Sequence, residues 1–401
     1  MSTSLLYHAF NIKGVEYRST GFLGKTIIFF TEMTNKFIAC PCCKKRLAIF
    51  KGQKTRSFKM GPLGRKQAIL HVLLHRLQCV ACQNLWWPQL RFMDGKHRYT
   101  RSFALTVFDL LRFGTIKDVA NFLHVGWDVV KEIHKSKLQR LYKRMPIHKI
   151  KYLGIDEFSL RKGHNYMTIF IDLQTGRIVH AVEGRSEGDI QPFLEKVARK
   201  AKHLQAVAMD MSRSYSSAVA KNLPGVDIVF DRYHIMALMN KAIEKLRREQ
   251  QKSLTGDDKQ ALKGCRFLLL GNYESLPGKR QVKLNSLLEI NEPLFAIHSM
   301  KEQLRLLWSQ PNRKQASKFL KQWCFDALAA GPKPLITVGM TLLRHLNGIL
   351  NYFPHRITSG AVEGTVNKIK TLKRQAYGFR DMDYFKLRLY HLHRQGYSLT
   401  G

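Results

Sequence analysis

The run KYLGIDEFSL at residues 151–160, with YMTIFIDLQTG (166–176), RIVHAVEGR (177–185), LQAVAMD (204–210) and VDIVFD (226–231) after it, decides the fold of this chain. Each is a short apolar run closed by turn-forming or charged residues, the signature of a buried strand. Between the third and fourth runs, SEGDIQPFLEKVARKAKH (186–203) has helical spacing behind a Ser186 cap. Three strands on tight loops, a helix, a strand, a short helix and a strand predict an α/β domain with a mixed sheet. It should be antiparallel across the tight loops and parallel across the helices.

Two of these runs deliver a carboxylate from an apolar setting: Asp156 inside the first and Asp210 at the end of the fourth. A carboxylate within a strand is costly unless it is paired, protonated or metal-bound. Asp210, at a strand end, equally fits an ordinary turn or helix cap. Side chains alternate along a strand, so Asp156 and Glu157 should point to opposite faces and only one should share a site with Asp210.

A third acid stands in ITSGAVEGTVNKIKTLKRQAYGFR (357–380), where Glu363 is alone among Lys368, Lys370, Lys373, Arg374 and Arg380. The segment reads as a helix whose apolar stripe is Val362, Val366, Ile369 and Ala376, with Glu363, Asn367 and Lys370 along its edge. Two strand aspartates and a helix glutamate make an oxygen-rich set suited to Mg²⁺ or Mn²⁺. Two such ions can activate water and stabilise the leaving oxygen in attack on a phosphodiester. Lys368, Lys370, Lys373 and Arg374 then suit the phosphates of DNA that the acid would otherwise repel.

The charge of the whole chain agrees with that substrate. Lys and Arg number 67 against 29 Asp and Glu, a net +38 spread along 401 residues, which favours a polyanionic partner. The N-terminus lacks the long apolar core of a signal peptide, and no apolar run reaches the roughly 18 residues of a membrane span. A cytoplasmic, nucleoid-associated protein with reduced cysteines is therefore expected, and paired cysteines read as metal ligands before disulfides. Cys40 with Cys43, and Cys79 with Cys82, form two C-x-x-C knuckles that can complete a tetrahedral zinc site, with a hairpin between them. Cys42 is an alternative ligand in the first knuckle, and Cys265 and Cys324 read as core. Around the first knuckle Lys44, Lys45, Arg46, Lys51, Lys54 and Arg56 suit a phosphate backbone.

TIKDVANFLHVGWDVVKEIHKSKL (115–138) fits a helix-turn-helix: Val119, Ala120 and Leu123 on the first helix, Val125 in the turn, Val130 and Ile133 on the second. The second helix should turn Trp127, Asp128, Lys131 and His134 outward, and Trp127, Lys131 and His134 are the candidate DNA contacts. The chain thus divides into an N-terminal β segment (1–38), a zinc-binding domain (39–90), a helix-turn-helix domain (91–148), the first part of the α/β domain (149–240), a helical segment (241–350) and a final part carrying Glu363 (351–401).

GIDEFSLRKGHNY (154–166), AMDMSRSY (208–215), DRYHIMALMNKAIEKLRRE (231–249) and SGAVEGTVNKIKTLKRQAYGFRDMDYFKLRLYHL (359–392) closely resemble the DDE transposases of the bacterial ISL-three insertion-sequence family. The resemblance covers most of the chain. It implies a multidomain α+β and α/β architecture: a zinc ribbon, a helix-turn-helix, and a ribonuclease H-like catalytic domain interrupted by an all-helical insertion. It carries the catalytic triad onto Asp156, Asp210 and Glu363, and marks Asp231 and His234 as a supporting D-x-x-H motif. It further implies structural Zn²⁺, catalytic Mg²⁺ or Mn²⁺, and recognition of terminal inverted repeats. Strand cleavage and transfer of the freed 3′ hydroxyl into target DNA would follow, in a dimer or larger assembly. The alternative is a catalytically inactive, transposase-derived repressor that binds DNA without cutting it.

Overall fold

The computed structural model describes residues 4–34, 39–161, 163, 165–253, 262–358 and 360–394. They fall into two compact units, the first ending at Lys143 and the second spanning Arg144–His393.

In the first unit, β1 (Val15–Leu23), β2 (Thr26–Met33), β3 (Ala48–Leu63), β4 (Lys66–Cys79) and β5 (Leu85–Trp86) form one sheet, ordered β1-β2-β4-β3 with β5 also on β4. β3 and β4 are the hairpin expected between the cysteine knuckles, with Ala48 opposite Cys79. A division at residue 38 is not present in the sheet, because β2 runs parallel to β4. Alternation explains the pairing: Ala68, Leu70, Val72 and Leu74 of β4 make one apolar face, and Phe29, Met33, Phe58 and Met60 complete its core. Three helices follow, Arg101–Leu110, Ile116–Leu123 and Trp127–Tyr142, packed around Phe103, Val107, Val119, Ala120, Leu123, Val130 and Ile133. A capping box of Thr115 and Asp118 starts the second helix, and His124 at φ 51° ends it.

The second unit carries the mixed sheet: β6 (Tyr152–Ser159), β7 (Tyr166–Asp172), β8 (Arg177–Glu183), β9 (Ala206–Met209) and β10 (Asp227–Phe230), in the order β10-β9-β6-β7-β8. β6, β7 and β8 are antiparallel neighbours, whereas β9 and β10 run parallel to β6 beyond helical crossovers. One face, through Leu153, Ile155, Phe170, Val207 and Met209, packs with Phe193 and Leu194 of helix Glu187–Lys200 and Tyr215 and Val219 of helix Arg213–Asn222. The other, through Phe158, Met167, Ile169 and Ile178, lies under helix Gly360–Gln375 and helix Met382–His391. Between β10 and the acidic helix the described chain is helical, from Arg232–Ser253 to Tyr352–His355. The apolar stripe of the acidic helix is Val362, Val366, Ile369 and Leu372. Ala376 is not part of it: the helix ends at Gln375, and Ala376 is exposed beyond it.

Gly154 lets that helix come close. A Cβ there would stand 2.8 Å from both Leu173 Cδ2 and Val362 Cγ2. Gly154→Ala should therefore destabilise the second unit by about 1–3 kcal/mol through overpacking. Urea unfolding of the full chain should show a lower midpoint, and an unchanged one would mean that the helix shifts at no cost.

Candidate active site and cysteine cluster

The mixed sheet brings three acids to the carboxyl ends of neighbouring parallel strands, the edge at which open α/β sheets hold ligands. Gly154 of β6 is in register with Ala208 of β9. Asp156 lies two residues further along β6, on the sheet face covered by the acidic helix, and Asp210 follows the end of β9 close enough for its charge to act on Asp156. Asp231 follows β10 directly, and its N–H donates to the Met209 carbonyl at 3.0 Å, which sets it beside Asp210.

Burial pushes the Asp156 carboxyl up to about 6; the charges of Glu157 and Asp210 add to the rise, while the Glu157 N–H (2.8 Å) and His234 oppose it. Asp210 is raised for the same leading reason, burial, followed by the charge of Glu157. Its Oδ1 also accepts from the Ser212 N–H at 3.1 Å, so the turn role open from the sequence is realised as well. Asp231 is 4% exposed and accepts from His234 Nδ1 at 3.1 Å. That bond, aided by the charges of Asp231, Asp210 and Asp156, raises the His234 pKa against the opposing effect of burial.

Glu157 is a residue that sequence reasoning set aside. Its side chain lies on the opposite face, with Oε1 3.6 Å from Arg185, near the buried Tyr215, whose hydroxyl is 3.0 Å from Thr168 Oγ1. Strand alternation separates it from Asp156, yet Asp210 sits past its strand's end, where both carboxylates act on it. The signal was adjacency itself, two acids in succession facing one strand terminus.

Glu363 is exposed in the first turn of its helix and lines a cleft of about 490 Å³ together with Asp231. The ligand oxygens of Asp156, Asp210 and Glu363 do not converge within 4.8 Å, the separation that the cysteines achieve among the described residues. Of the basic residues on the same helix, Lys370 and Arg374 are exposed and Lys368 is half-buried. Lys373 donates to the Ser159 carbonyl at 2.6 Å, and burial lowers its pKa, so it ties the helix to the end of β6.

In the first unit Cys40, Cys43, Cys79 and Cys82 bring their sulfurs within 4.8 Å of one another, a donor set that fits a tetrahedral thiophilic ion. Each knuckle is built the same way. Lys44 and Gln83 turn through positive φ, and their N–H groups donate to the carbonyls of Cys40 and Cys79, both at 3.0 Å. Burial raises the Cys40 thiol, but N–H groups of Cys43 and Cys42 outweigh it and bring the thiol down to about 6. The Cys82 N–H does the same for Cys79. Cys42 is exposed and outside the cluster, which removes it as an alternative ligand.

The helix pair after the sheet has the expected turn, and Trp127 is 62% exposed at the start of the second helix, with Lys131 half-buried one turn on. His134 does not face outward. It is 1% exposed, with its ring edge-on to Phe108 at 5.5 Å, because position 134 follows Val130 and Ile133 onto the inner side of the helix.

A family model described as a transposase, of the DDE type and the ISL-three group, matches residues 153–389. The transposase of insertion sequence element IS1001 from Bordetella parapertussis is 30% identical over 370 residues, 91% of each chain. The transposase of element IS1557 from Mycobacterium tuberculosis is 23% identical over 287 residues, 65% of this chain and 64% of its own. Among solved structures, a chain of the Drosophila P element transposase strand transfer complex aligns with 75% of this chain and 92% of its own, at 11% identity and a TM-score of 0.42. By the match across the sheet, the acids and the helix that covers them, this chain belongs to the ISL-three family of DDE transposases.

Proposed function

We propose that the chain cuts DNA at the ends of an insertion sequence and joins the freed 3′ hydroxyl to target DNA, with Asp156, Asp210 and Glu363 as the catalytic carboxylates. The single observation that supports this reading is the register of β6 with β9, with Gly154 opposite Ala208 two residues before Asp156 and Asp210. A sheet ordered β10-β9-β6-β7-β8, antiparallel on one side of β6 and parallel on the other, supports a ribonuclease H-like catalytic domain.

The three carboxylates offer hard oxygen donors, and two of them are held by burial at a pKa that a cation would relieve. Magnesium or manganese bound there would activate water and then the 3′ hydroxyl, and stabilise the departing oxygen. The chain's own residues do the rest. Asp231 orients the His234 ring beside the acids, and Lys370 and Arg374 hold strand phosphates beside Glu363. The cysteine cluster holds structural zinc, and the helix beginning at Trp127 reads the terminal repeats, in an assembly that joins two ends.

Cleavage and strand-transfer assays on element ends with Mg²⁺ should show loss of activity for Asp156→Ala, Asp210→Ala and Glu363→Ala with end binding retained. Native protein that binds ends and cuts none would favour a repressor instead.

Stability gives an independent reading. The folded pKa of Asp156, about 6, lies above its unfolded value, so its contribution is fully present below about pH 4 and is lost as pH rises through 6. Asp156→Asn should therefore stabilise the metal-free chain at pH 7.5 by on the order of 1–3 kcal/mol. Mg²⁺ should raise the melting temperature of the native chain more than that of the variant. An equal Mg²⁺ response in both would remove Asp156 from the metal site.

For the cysteine cluster, elemental analysis should find one zinc per native chain. Cys79→Ser should lose it and expose the first unit to proteolysis, whereas Cys42→Ser should keep it. Full zinc occupancy in the Cys79 variant would exclude the four-thiolate site.

A further inference from the structure

The cleft that Glu363 and Asp231 line is shared with the helical segment between β10 and the acidic helix. Tyr233 comes from the first turn of helix Arg232–Ser253, Asn272 from the loop after Leu270, and Arg305 and Trp308 from the end of helix Glu292–Arg305 and the turn after it. That wall is cross-linked by polar contacts. Lys301 is 1% exposed and donates to the carbonyls of Leu269 and Gly271, while Glu302 accepts from Lys301 at 2.8 Å and from Arg305 at 2.6 Å. Asn240 also lines the cleft, and its buried Oδ1 has no hydrogen-bond partner.

These features describe one kind of occupant. Trp308 and the 60% exposed Tyr233 offer aromatic surface for a flat ring. Arg305 spends one nitrogen on Glu302 and keeps further donors for a phosphate. The orphan acceptor of Asn240 calls for a donor, which the exocyclic amino group of a base supplies. A volume of about 490 Å³ is that of a small-ligand site and excludes a duplex.

We infer that this cleft takes up one unpaired deoxynucleotide of the DNA strand, its base against Trp308 and Tyr233 and its phosphate on Arg305, next to the bond that is cut. The inference rests on the transposase function proposed above and adds a step to it: the strand must be locally unpaired before or during cleavage.

The test is a binding cycle on full-length protein in Ca²⁺. The probes are duplexes ending in the inverted repeat of the element that carries this gene, with an abasic site moved one nucleotide at a time across the end. At one position within a few nucleotides of the cut, base removal should weaken native binding about tenfold. The same removal should cost Trp308→Ala and Tyr233→Ala nothing further, and Trp308→Phe should restore the native response. Additive losses at every position, in both alanine variants, would overturn the proposal. Free deoxynucleoside monophosphates in excess should leave the coupling intact. If they abolish it and bind native protein but not Trp308→Ala, the cleft serves a free nucleotide and the strand assignment fails. Cleavage of the same probes in Mn²⁺ separates the two readings. Coupling without cleavage counts against the catalytic reading alone, and cleavage without coupling counts against the cleft alone.

Discussion

The close approach of helix Gly360–Gln375 to β6 is the constraint on which the site depends. Glu363 and Asp156 are separated by some 200 residues of sequence, and they come to one face only because Val362 packs where Gly154 has no side chain. Val366, Ile369 and Leu372 continue the seam against Phe158, Ile169 and Phe385. Lys373, bonded to the Ser159 carbonyl, fixes the rotation of the helix at its far end. Apolar packing therefore aims the one acid of a basic helix, and the charges themselves contribute little to its placement.

Charge distribution is the second organising feature. The chain carries a net charge of +38, yet its sheet edge gathers Asp156, Glu157, Asp210 and Asp231, with His234 and Arg185 beside them among the described residues. Repulsion among acids in a half-buried setting costs folding energy that the apolar faces of the sheet must offset. That local conflict is the expected mark of a functional edge in an otherwise consistent fold.

The sheet of the second unit was legible because each strand is a short apolar run and each connection is either a tight loop or a helical segment. Direction follows from connection length, so mixed pairing needed no long-range information. Other features depended on contacts between distant segments. β2 beside β4 is a non-local parallel pairing, and nothing within 26–33 announces it. His134 lies at helical spacing from the core residue Val130, so periodicity alone could have placed it inside; polarity argued otherwise, and Phe108 supplies the partner that makes burial possible. Leu372 lies one turn nearer than Ala376, and the helix stops before Ala376 reaches the sheet. Glu157 was separated from the site by strand alternation, a rule that ceases to apply at the strand end where Asp210 sits.

The helical segment is tied to this edge at both of its ends. It leaves the sheet at Asp231, which begins helix Arg232–Ser253, and the acidic helix starts at Gly360, five residues after helix Tyr352–His355 closes. Asn351 and His355 bond to Asp227 of β10 near its return, at 3.3 and 2.8 Å, so exit and re-entry are clamped to the same strand. Arg305 and Trp308 of the segment's wall line one cleft with Asp231 and Glu363. The placement of these carboxylates is thus tied to the helical segment by the topology itself, without any element dedicated to joining them.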